Sequence, residues 1–177
     1  AGLLFAGVGL GVVPTNVATI PGHAERALRH GIFQSVAIVT TTGYASMDFN
    51  TWDQSTQVIL LFAMFLGGSA GSAAGSVKIV RWYVVQQTIV RELFTTVHPE
   101  AVRPVRLSDA PIDEDTIRSV IVFVMTFLAL FVASTVLVFL DGLRTGLDLS
   151  ALEAASVAIA TLGNVGPGFG LVGPMNS

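Results

Sequence analysis

Apolar positions occur along this chain in stretches of unequal length, and these lengths predict its elements. The stretch 119–140 contains no charged residue and exceeds the roughly 20 apolar residues that cross a bilayer. We therefore predict a membrane helix over 117–140. The stretch 1–14 is interpreted as the end of another membrane helix whose beginning precedes this sequence. A signal-peptide core is the alternative there, although it has no basic segment ahead of its apolar residues.

A third apolar stretch, 52–85, is interrupted by the sequence GGSAGSAAGS. Because each glycine destabilises a helix by about 1 kcal/mol relative to alanine, we predict a broken membrane helix there. Two shorter runs, 25–39 and 150–161, are too short to span the membrane at about 1.5 Å per residue and are predicted as pore helices. Each leads into a loop with glycine, 40–46 and 162–168.

The two short runs share a string of residues. SVAIVTTTGY starts at Ser35 and SVAIATLGNVG starts at Ser156, and the elements around both strings follow the same order. Self-similarity of this kind marks a repeated structural unit. We interpret 1–85 as one repeat and 117–177 as a second repeat that lacks its last helix. The predicted fold class is all-α integral membrane, with repeated units of helix, pore helix, filter loop and helix.

The stretch 86–116 is predicted to be a cytoplasmic connector between the repeats. Six of the nine Lys and Arg residues lie between Lys78 and Arg118, and short basic segments of membrane proteins stay in the cytoplasm. The chain is 52% hydrophobic and 12% charged, with a mean hydropathy of +0.71, whereas soluble domains are about 25% charged. We therefore predict a multi-pass protein of the cell membrane, surrounded by lipid. The net charge of −3 gives no indication of a nucleic-acid partner.

The chemistry predicted for the two loops is the binding of a cation by backbone carbonyls. Irregular backbone at membrane depth is tolerated where it lines a water-filled cavity, and the negative end of a helix dipole favours a cation there. Carbonyl oxygens can replace the hydration shell of K⁺. The predicted selectivity-filter residues are Thr41, Thr42, Gly43, Tyr44, Asn164, Val165 and Gly166. We expect K⁺ at Thr42, Gly43, Val165 and Gly166, and we expect Tyr44 to pack behind its loop and hold it open.

The correspondence between the two loops has two possible registers. Aligning the SVAI strings places Gly43 opposite Asn164, between Gly163 and Gly166. We choose Gly166, because Asn-Val-Gly then parallels Thr-Thr-Gly. For either loop alone, the simpler alternative is a helix end with a glycine that stops the helix.

The glycine-rich interruption is interpreted as an intramembrane gate. Its predicted residues are Gly67, Gly68, Gly71, Gly75, Ser76 and Lys78. The alternatives are a close-packed helix interface of small residues and, for Lys78, a side chain that simply reaches the membrane surface. Asp48 and Asp53 follow the first loop and either concentrate cations at its outer mouth or, for Asp53, start the next helix.

Three motifs carry a family resemblance: TTTGYASMDFNTW, FLGGSAGSAAGSVKIVRW and TLGNVGPGFG. They resemble the TrkH/KtrB family of potassium-transporting membrane subunits, which are related to the plant HKT transporters. The resemblance implies a pseudo-fourfold, K⁺-channel-like arrangement of four repeats, of which this chain holds about two, the third and the fourth. It also implies that Gly43 and Gly166 are filter glycines and that 67–76 is a gating loop. Ser76 departs from the family pattern, in which glycine is usual.

The same resemblance implies a homodimer and a cytosolic nucleotide-binding regulatory subunit of the TrkA/KtrA type. The predicted function is potassium transport through a carbonyl-lined filter, with K⁺ as the transported ion, no cofactor and no enzymatic chemistry. The alternative is a Na⁺-permeable or ion-coupled secondary transporter with broken helices. A membrane-embedded enzyme would need acidic or His residues within the long helices, and those helices contain none.

Overall fold

The computed structural model describes residues 24–98, 105–107 and 110–175. Within those ranges the chain is mainly helical, in agreement with the predicted all-α class. The helices are α1 (Ala24–Val39), α2 (Gln54–Phe65), α3 (Ile79–Val97), α4 (Glu114–Thr145) and α5 (Ala151–Leu162). The smaller elements are 3-10 turns at Phe49–Thr51 and Gly170–Val172 and an antiparallel pair of Arg106–Leu107 (β1) with Ala110–Pro111 (β2). The helix predicted over 1–14 lies outside the described residues.

Helices α2 and α5 are short and begin at side-chain caps. Each has 12 residues, which corresponds to about 18 Å against a hydrocarbon core of about 30 Å. At the start of α2 the amide of Ser55 donates to the Asp53 carboxylate at 2.9 Å. At the start of α5, Ser150 and Glu153 form a capping box. These caps satisfy amides that have no partner within the helix.

Helix α4 alone, among the described residues, is long and apolar enough to cross a membrane. It has 32 residues, or about 48 Å, and only 11% of its apolar window is buried by the rest of the chain. It extends beyond the predicted 117–140 at both ends. Glu114 and Asp115 occupy its first turn and Arg144 its last, and these charges complement the helix dipole. Gly146, with a φ of 72°, follows its last turn and ends it.

The break between α2 and α3 spans 66–78, which includes the predicted gate residues. Beyond it, α3 continues to Val97. The predicted end of this helix at 85, and with it the connector boundary at 86, is therefore wrong. In the extension Thr88 is buried and its Oγ1 donates to Val84 O at 2.8 Å, and Arg91 pairs with Glu114 of α4.

The core lies where the short helices meet the middle of α4. Its buried members are Ile38, Phe49, Trp52, Leu60, Met64, Val77, Val124, Phe127, Ile159, Val165 and Phe169. Phe65 also makes edge-to-face contacts with Phe127 and Phe131 of α4, at centroid distances of 6.4 and 4.9 Å. Val165 of the second loop and Val77 of the glycine-rich break belong to this core, and Ala45 of the first loop packs against it. The fold therefore brings the three predicted functional segments together.

Candidate functional site

Helices α1 and α5 end in the same backbone turn. Each closes with two hydrogen bonds, donated by backbone amides to carbonyls three and five residues earlier, which is the pattern of a Schellman motif. After α1 these are Thr41 to Ile38 (3.0 Å) and Thr42 to Ala37 (2.9 Å), and after α5 they are Asn164 to Thr161 (3.2 Å) and Val165 to Ala160 (2.8 Å). The turns match Thr41 with Asn164 and Thr42 with Val165.

The backbone angles extend this correspondence to the glycines. Thr41 and Asn164 have left-handed φ values of 53° and 50°, and Gly43 and Gly166, two residues later, have φ values of 76° and 110°. Gly163, by contrast, has a right-handed φ of −82°. The backbone therefore pairs Gly43 with Gly166, as the Asn-Val-Gly register predicts, and not with Gly163.

The left-handed residue in the turn after α1 is Thr41 rather than a glycine. A glycine that merely stops the helix is therefore not what this turn contains, since Gly43 comes two residues after the left-handed position. A β-branched residue at positive φ is a conformational outlier that the surrounding structure must impose. Asn164 holds the same position at lower cost, because asparagine tolerates this conformation.

Gly43 packs directly on the second loop. A Cβ atom on Gly43 would lie 2.5 Å from the carbonyl oxygen of Val165 and 3.4 Å from Cδ of Pro167. From the other side, a Cβ on Gly166 would lie 3.6 Å from Cα of Gly43. The first of these distances is shorter than real Cβ contacts. The two loops therefore approach backbone to backbone because residue 43 has no side chain.

The predicted filter residues differ in their exposure. Thr42, Asn164 and Gly166 are exposed, whereas Val165 is 2% exposed. Tyr44 is 71% exposed, so the prediction that it packs behind its loop is wrong within the described residues. The Tyr44 ring instead borders an apolar cleft of about 530 Å³ that α1 forms with the residues after it. The sequence around Tyr44 contains no feature that indicates this orientation.

The segment 66–78, which we call the glycine-rich segment, is closed on itself by backbone bonds. The amide of Gly67 donates to Val77 O at 2.8 Å, and the amide of Ile79 donates to Gly68 O at 3.4 Å. The Lys78 Nζ donates to the carbonyl of Ser72 at 3.1 Å. The lysine side chain therefore turns back over the segment.

The glycines of this segment serve different purposes. A Cβ on Gly67 would lie 2.5 Å from the carbonyl oxygen of Ser76, and a Cβ on Gly75 would lie 2.6 Å from that of Gly163. Gly68 approaches the side chain of Ser72. Gly71 has a φ of 85° and forms a turn, and no atom lies within 4 Å of the position of its Cβ. Close packing of small residues thus describes Gly67 and Gly75, and Gly75 joins the segment to the loop after α5.

Contacts that the sequence did not predict join the chain beyond the two loops. The Asn50 Oδ1 accepts from the amide of Gly170 at 3.0 Å, and its Nδ2 donates to the Gly170 carbonyl at 3.4 Å. The preceding residues, Phe49 and Phe169, meet edge to face at 5.5 Å. The aromatic residue shortly after each loop was the sequence feature that could have indicated this contact. His30, which had no assigned role, contacts Ser46 through Nδ1 and Oγ at 2.9 Å.

The acidic residues after the first loop cap local structure. The Asp48 Oδ1 accepts from the amide of Asn50 at 2.9 Å, and Asp53 caps α2. The alternative in which Asp53 starts the next helix is therefore the one the structure contains. Among the described residues, no group of three or more His, Asp or Glu side chains could hold a metal ion.

Charged side chains gather at the other end of the fold. Arg91 of α3 pairs with Glu114 at the start of α4 and with the neighbouring Glu92. The hydrogen bond to Glu114 raises the pKa of Arg91 above its ordinary value. This ion pair joins α3, the helix after the glycine-rich segment, to the start of α4.

Comparisons with known proteins give one consistent family. Residues 14–176 match the family model described as TrkH, cation transport protein. The Trk system potassium uptake protein TrkH of Halomonas elongata is 32% identical over 145 residues, which cover 82% of this chain and 29% of that protein. The protein of the same name from Vibrio parahaemolyticus is 35% identical over 146 residues, covering 82% and 29%.

The solved structures agree. The crystal structure of the potassium transporter TrkH from Vibrio parahaemolyticus superposes with a TM-score of 0.71 at 31% identity and covers 97% of this chain and 35% of that one. The chain thus spans about a third of the length of these relatives. The family match over nearly the whole chain, together with the relatives and the shared fold, shows that the chain belongs to the TrkH family of cation transport proteins.

Proposed function

We propose that this chain is part of a potassium-transporting membrane protein and that K⁺ passes along the carbonyls of its two matched loops. The residues proposed to hold the ion are Thr42, Gly43, Val165 and Gly166, and the left-handed residues Thr41 and Asn164 shape the two loops. The observation that carries the proposal is the packing of Gly43 against the Val165 carbonyl between two equivalent turns. A relative named a potassium transporter supports the choice of ion.

The direction of the helix dipoles supports a cation pathway. Both α1 and α5 direct their carboxyl ends, with partial negative charge, at the loops. The described residues around the loops offer backbone carbonyls and hydroxyls rather than a cluster of carboxylates. Such a set of oxygens suits a dehydrated monovalent ion better than a divalent one, which prefers several carboxylate ligands.

The remaining parts of the proposal concern the gate and the missing partners. The glycine-rich segment, with Gly67, Gly68, Gly71, Gly75, Ser76 and Lys78, is proposed to block the pathway and to move when it opens. The exposed apolar face of α1, which includes Ile32, Phe33 and Val36, is proposed to pack against further repeats, so that four repeats surround one path. A homodimer and a regulatory subunit of the TrkA type remain proposals that rest on the family.

The test is rubidium uptake into proteoliposomes that contain the full-length protein. We expect uptake that excess K⁺ blocks and excess Na⁺ spares, and that Gly43→Asp abolishes. Gly146→Asp is the matched control, because Gly146 also has a positive φ, of 72°, but has nothing within 4 Å of its Cβ position. Uptake retained by Gly43→Asp would place the pathway elsewhere. Equal block by Na⁺ would favour the Na⁺-permeable alternative.

A further inference from the structure

Ser76 is a buried hydroxyl residue at the point where the glycine-rich segment meets two other elements. It is 2% exposed, and its Oγ donates to the carbonyl oxygen of Met64. Met64 lies in the last turn of α2, where carbonyls have no partner within the helix. The Trp82 Nε1 donates to the next carbonyl, that of Phe65, at 3.3 Å. The end of α2 is therefore capped by side chains from beyond the break.

The same hydroxyl lies against the loop that follows α5. A Cβ atom on Gly163 would collide with Ser76 Oγ, and a Cβ on Gly75 would lie 2.6 Å from Gly163 O and 3.0 Å from Cβ of Asn164. Gly163 and Asn164 form the turn that precedes Val165. Gly75 and Ser76 thus pack between the end of α2 and the turn of the second loop.

We propose that Ser76 is a positioning residue that latches the glycine-rich segment shut, by its bond to Met64 O and its contact with Gly163. This inference rests on the proposed function, in which movement of the segment opens the ion path. Moving the segment breaks the Ser76 bond and leaves two buried polar groups without partners, which opposes opening. It also withdraws Gly75 and Ser76 from the second loop, so opening of the segment and relaxation of that loop are coupled.

The backbone bonds of the segment explain why a side chain matters there. The bond of Gly67 to Val77 and the bond of Lys78 to Ser72 lie within the segment, and the bond of Ile79 to Gly68 joins it to the start of α3. The segment can keep the two internal bonds while it moves away from α2, and it keeps the third if it moves together with the start of α3. The Ser76 bond to Met64, by contrast, joins the segment to α2, and movement must break it.

The matched control is Ser72 of the same segment. Its hydroxyl is also buried but has no hydrogen-bond partner among the described residues, so Ser72→Ala removes a hydroxyl without removing a latch. A reporter is available because the described sequence contains no cysteine. Ala74, 7% exposed, can be replaced by cysteine in an otherwise cysteine-free full-length protein, and its reaction with a water-soluble thiol reagent then follows movement of the segment.

The experiment measures thiol modification and rubidium uptake in the same proteoliposomes for Ser76→Ala, Ser76→Gly and Ser72→Ala. Loss of one hydrogen bond changes an equilibrium by about 2- to 10-fold, so we expect both rates to rise by about that factor in the two Ser76 variants and neither to rise in Ser72→Ala. A variant that merely failed to fold would lose uptake instead. Unchanged modification or unchanged uptake in Ser76→Ala, or an equal rise in Ser72→Ala, would overturn the proposal.

The experiment distinguishes a failure of the proposed transport function from a failure of the Ser76 proposal. A folded full-length protein that takes up no rubidium would contradict the proposed transport function, and thiol modification alone would then decide whether Ser76 holds the segment. Uptake with the expected K⁺ competition, together with equal modification of wild type and Ser76→Ala, would leave the transport function in place and remove the latch.

Discussion

The carbonyl oxygen of Val165 lies where a side chain on Gly43 would have to go, 2.5 Å from the position of its Cβ atom. The two residues belong to loops far apart in the sequence, and each loop follows a short helix that ends in the same turn. The closeness of two backbones, rather than a set of side chains, is therefore the property on which the site depends.

The first prediction concerns Gly43→Ala. Alanine at positive φ costs about 1–2 kcal/mol, and here the added methyl group must also push the Val165 carbonyl away. We expect rubidium uptake by the full-length protein to fall by about tenfold or more, since carbonyls displaced from the path no longer replace the ion's hydration shell.

Gly146→Ala separates the two causes. Gly146 has nearly the same φ as Gly43, 72° against 76°, but open space around its Cβ position. We expect it to lower thermal stability by a similar strain and to leave uptake unchanged. If Gly43→Ala and Gly146→Ala transported equally well, the contact between Gly43 and Val165 would have no part in transport.

The second prediction concerns the strained turn after α1. Thr41 has a φ of 53°, and asparagine tolerates this conformation better than a β-branched residue. We expect Thr41→Asn to raise the free energy of unfolding by about 1 kcal/mol and the reverse change, Asn164→Thr, to lower it by a similar amount. Thermal unfolding of the full-length protein in detergent measures both. Two changes of the same sign would show that side-chain contacts, not backbone strain, decide stability at these positions.

The sequence predicted the short helices well because their signals are local. Short runs predicted to end at 39 and 161, each followed by a loop with glycine, were sufficient to place the ends of α1 and α5 within a residue of the observed Val39 and Leu162. The shared SVAI string was a poorer guide to the loops. Helix α1 continues for one residue after Ile38, whereas α5 continues for three after Ile159. Aligning the two SVAI strings therefore does not align the turns that follow them.

Contacts between residues distant in the chain could not be predicted from the sequence. Ser76 was identified as a gate residue from its place in the glycine-rich segment, but its bond to Met64 depends on how the chain folds back after the break. The exposure of Tyr44 and the bond between Asn50 and Gly170 likewise depend on packing between elements. The continuation of α3 to Val97 was missed because the predicted end was placed where the continuous apolar stretch ends.

The third prediction concerns the link between the chain segments that follow the two loops. Asn50 makes two hydrogen bonds to the backbone of Gly170, and Asn50→Ala removes both. At about 1 kcal/mol for each bond, we expect a loss of about 2 kcal/mol in stability. Asn50→Asp keeps an acceptor for the Gly170 amide and should lose less. Thermal unfolding of the three proteins gives the order, and an equal loss in both variants would contradict a role for the retained acceptor.

The last prediction concerns Gln34, whose side chain is fully buried in α1. Neither its Oε1 nor its Nε2 has a hydrogen-bond partner among the described residues. A buried polar group without a partner costs about 1–3 kcal/mol, whereas an apolar group of similar shape can be neutral or stabilising. We therefore expect Gln34→Leu to keep or raise the thermal unfolding temperature of the full-length protein.

Ser156→Ala is the comparison for Gln34→Leu. Ser156 is equally buried, but its Oγ donates to Glu153 O at 2.7 Å and accepts from the amide of Phe169 at 2.8 Å. Its loss leaves both groups without that partner and should lower stability by about 1–3 kcal/mol. A marked loss of stability in Gln34→Leu would show that the amide of Gln34 bonds to a group outside the described residues.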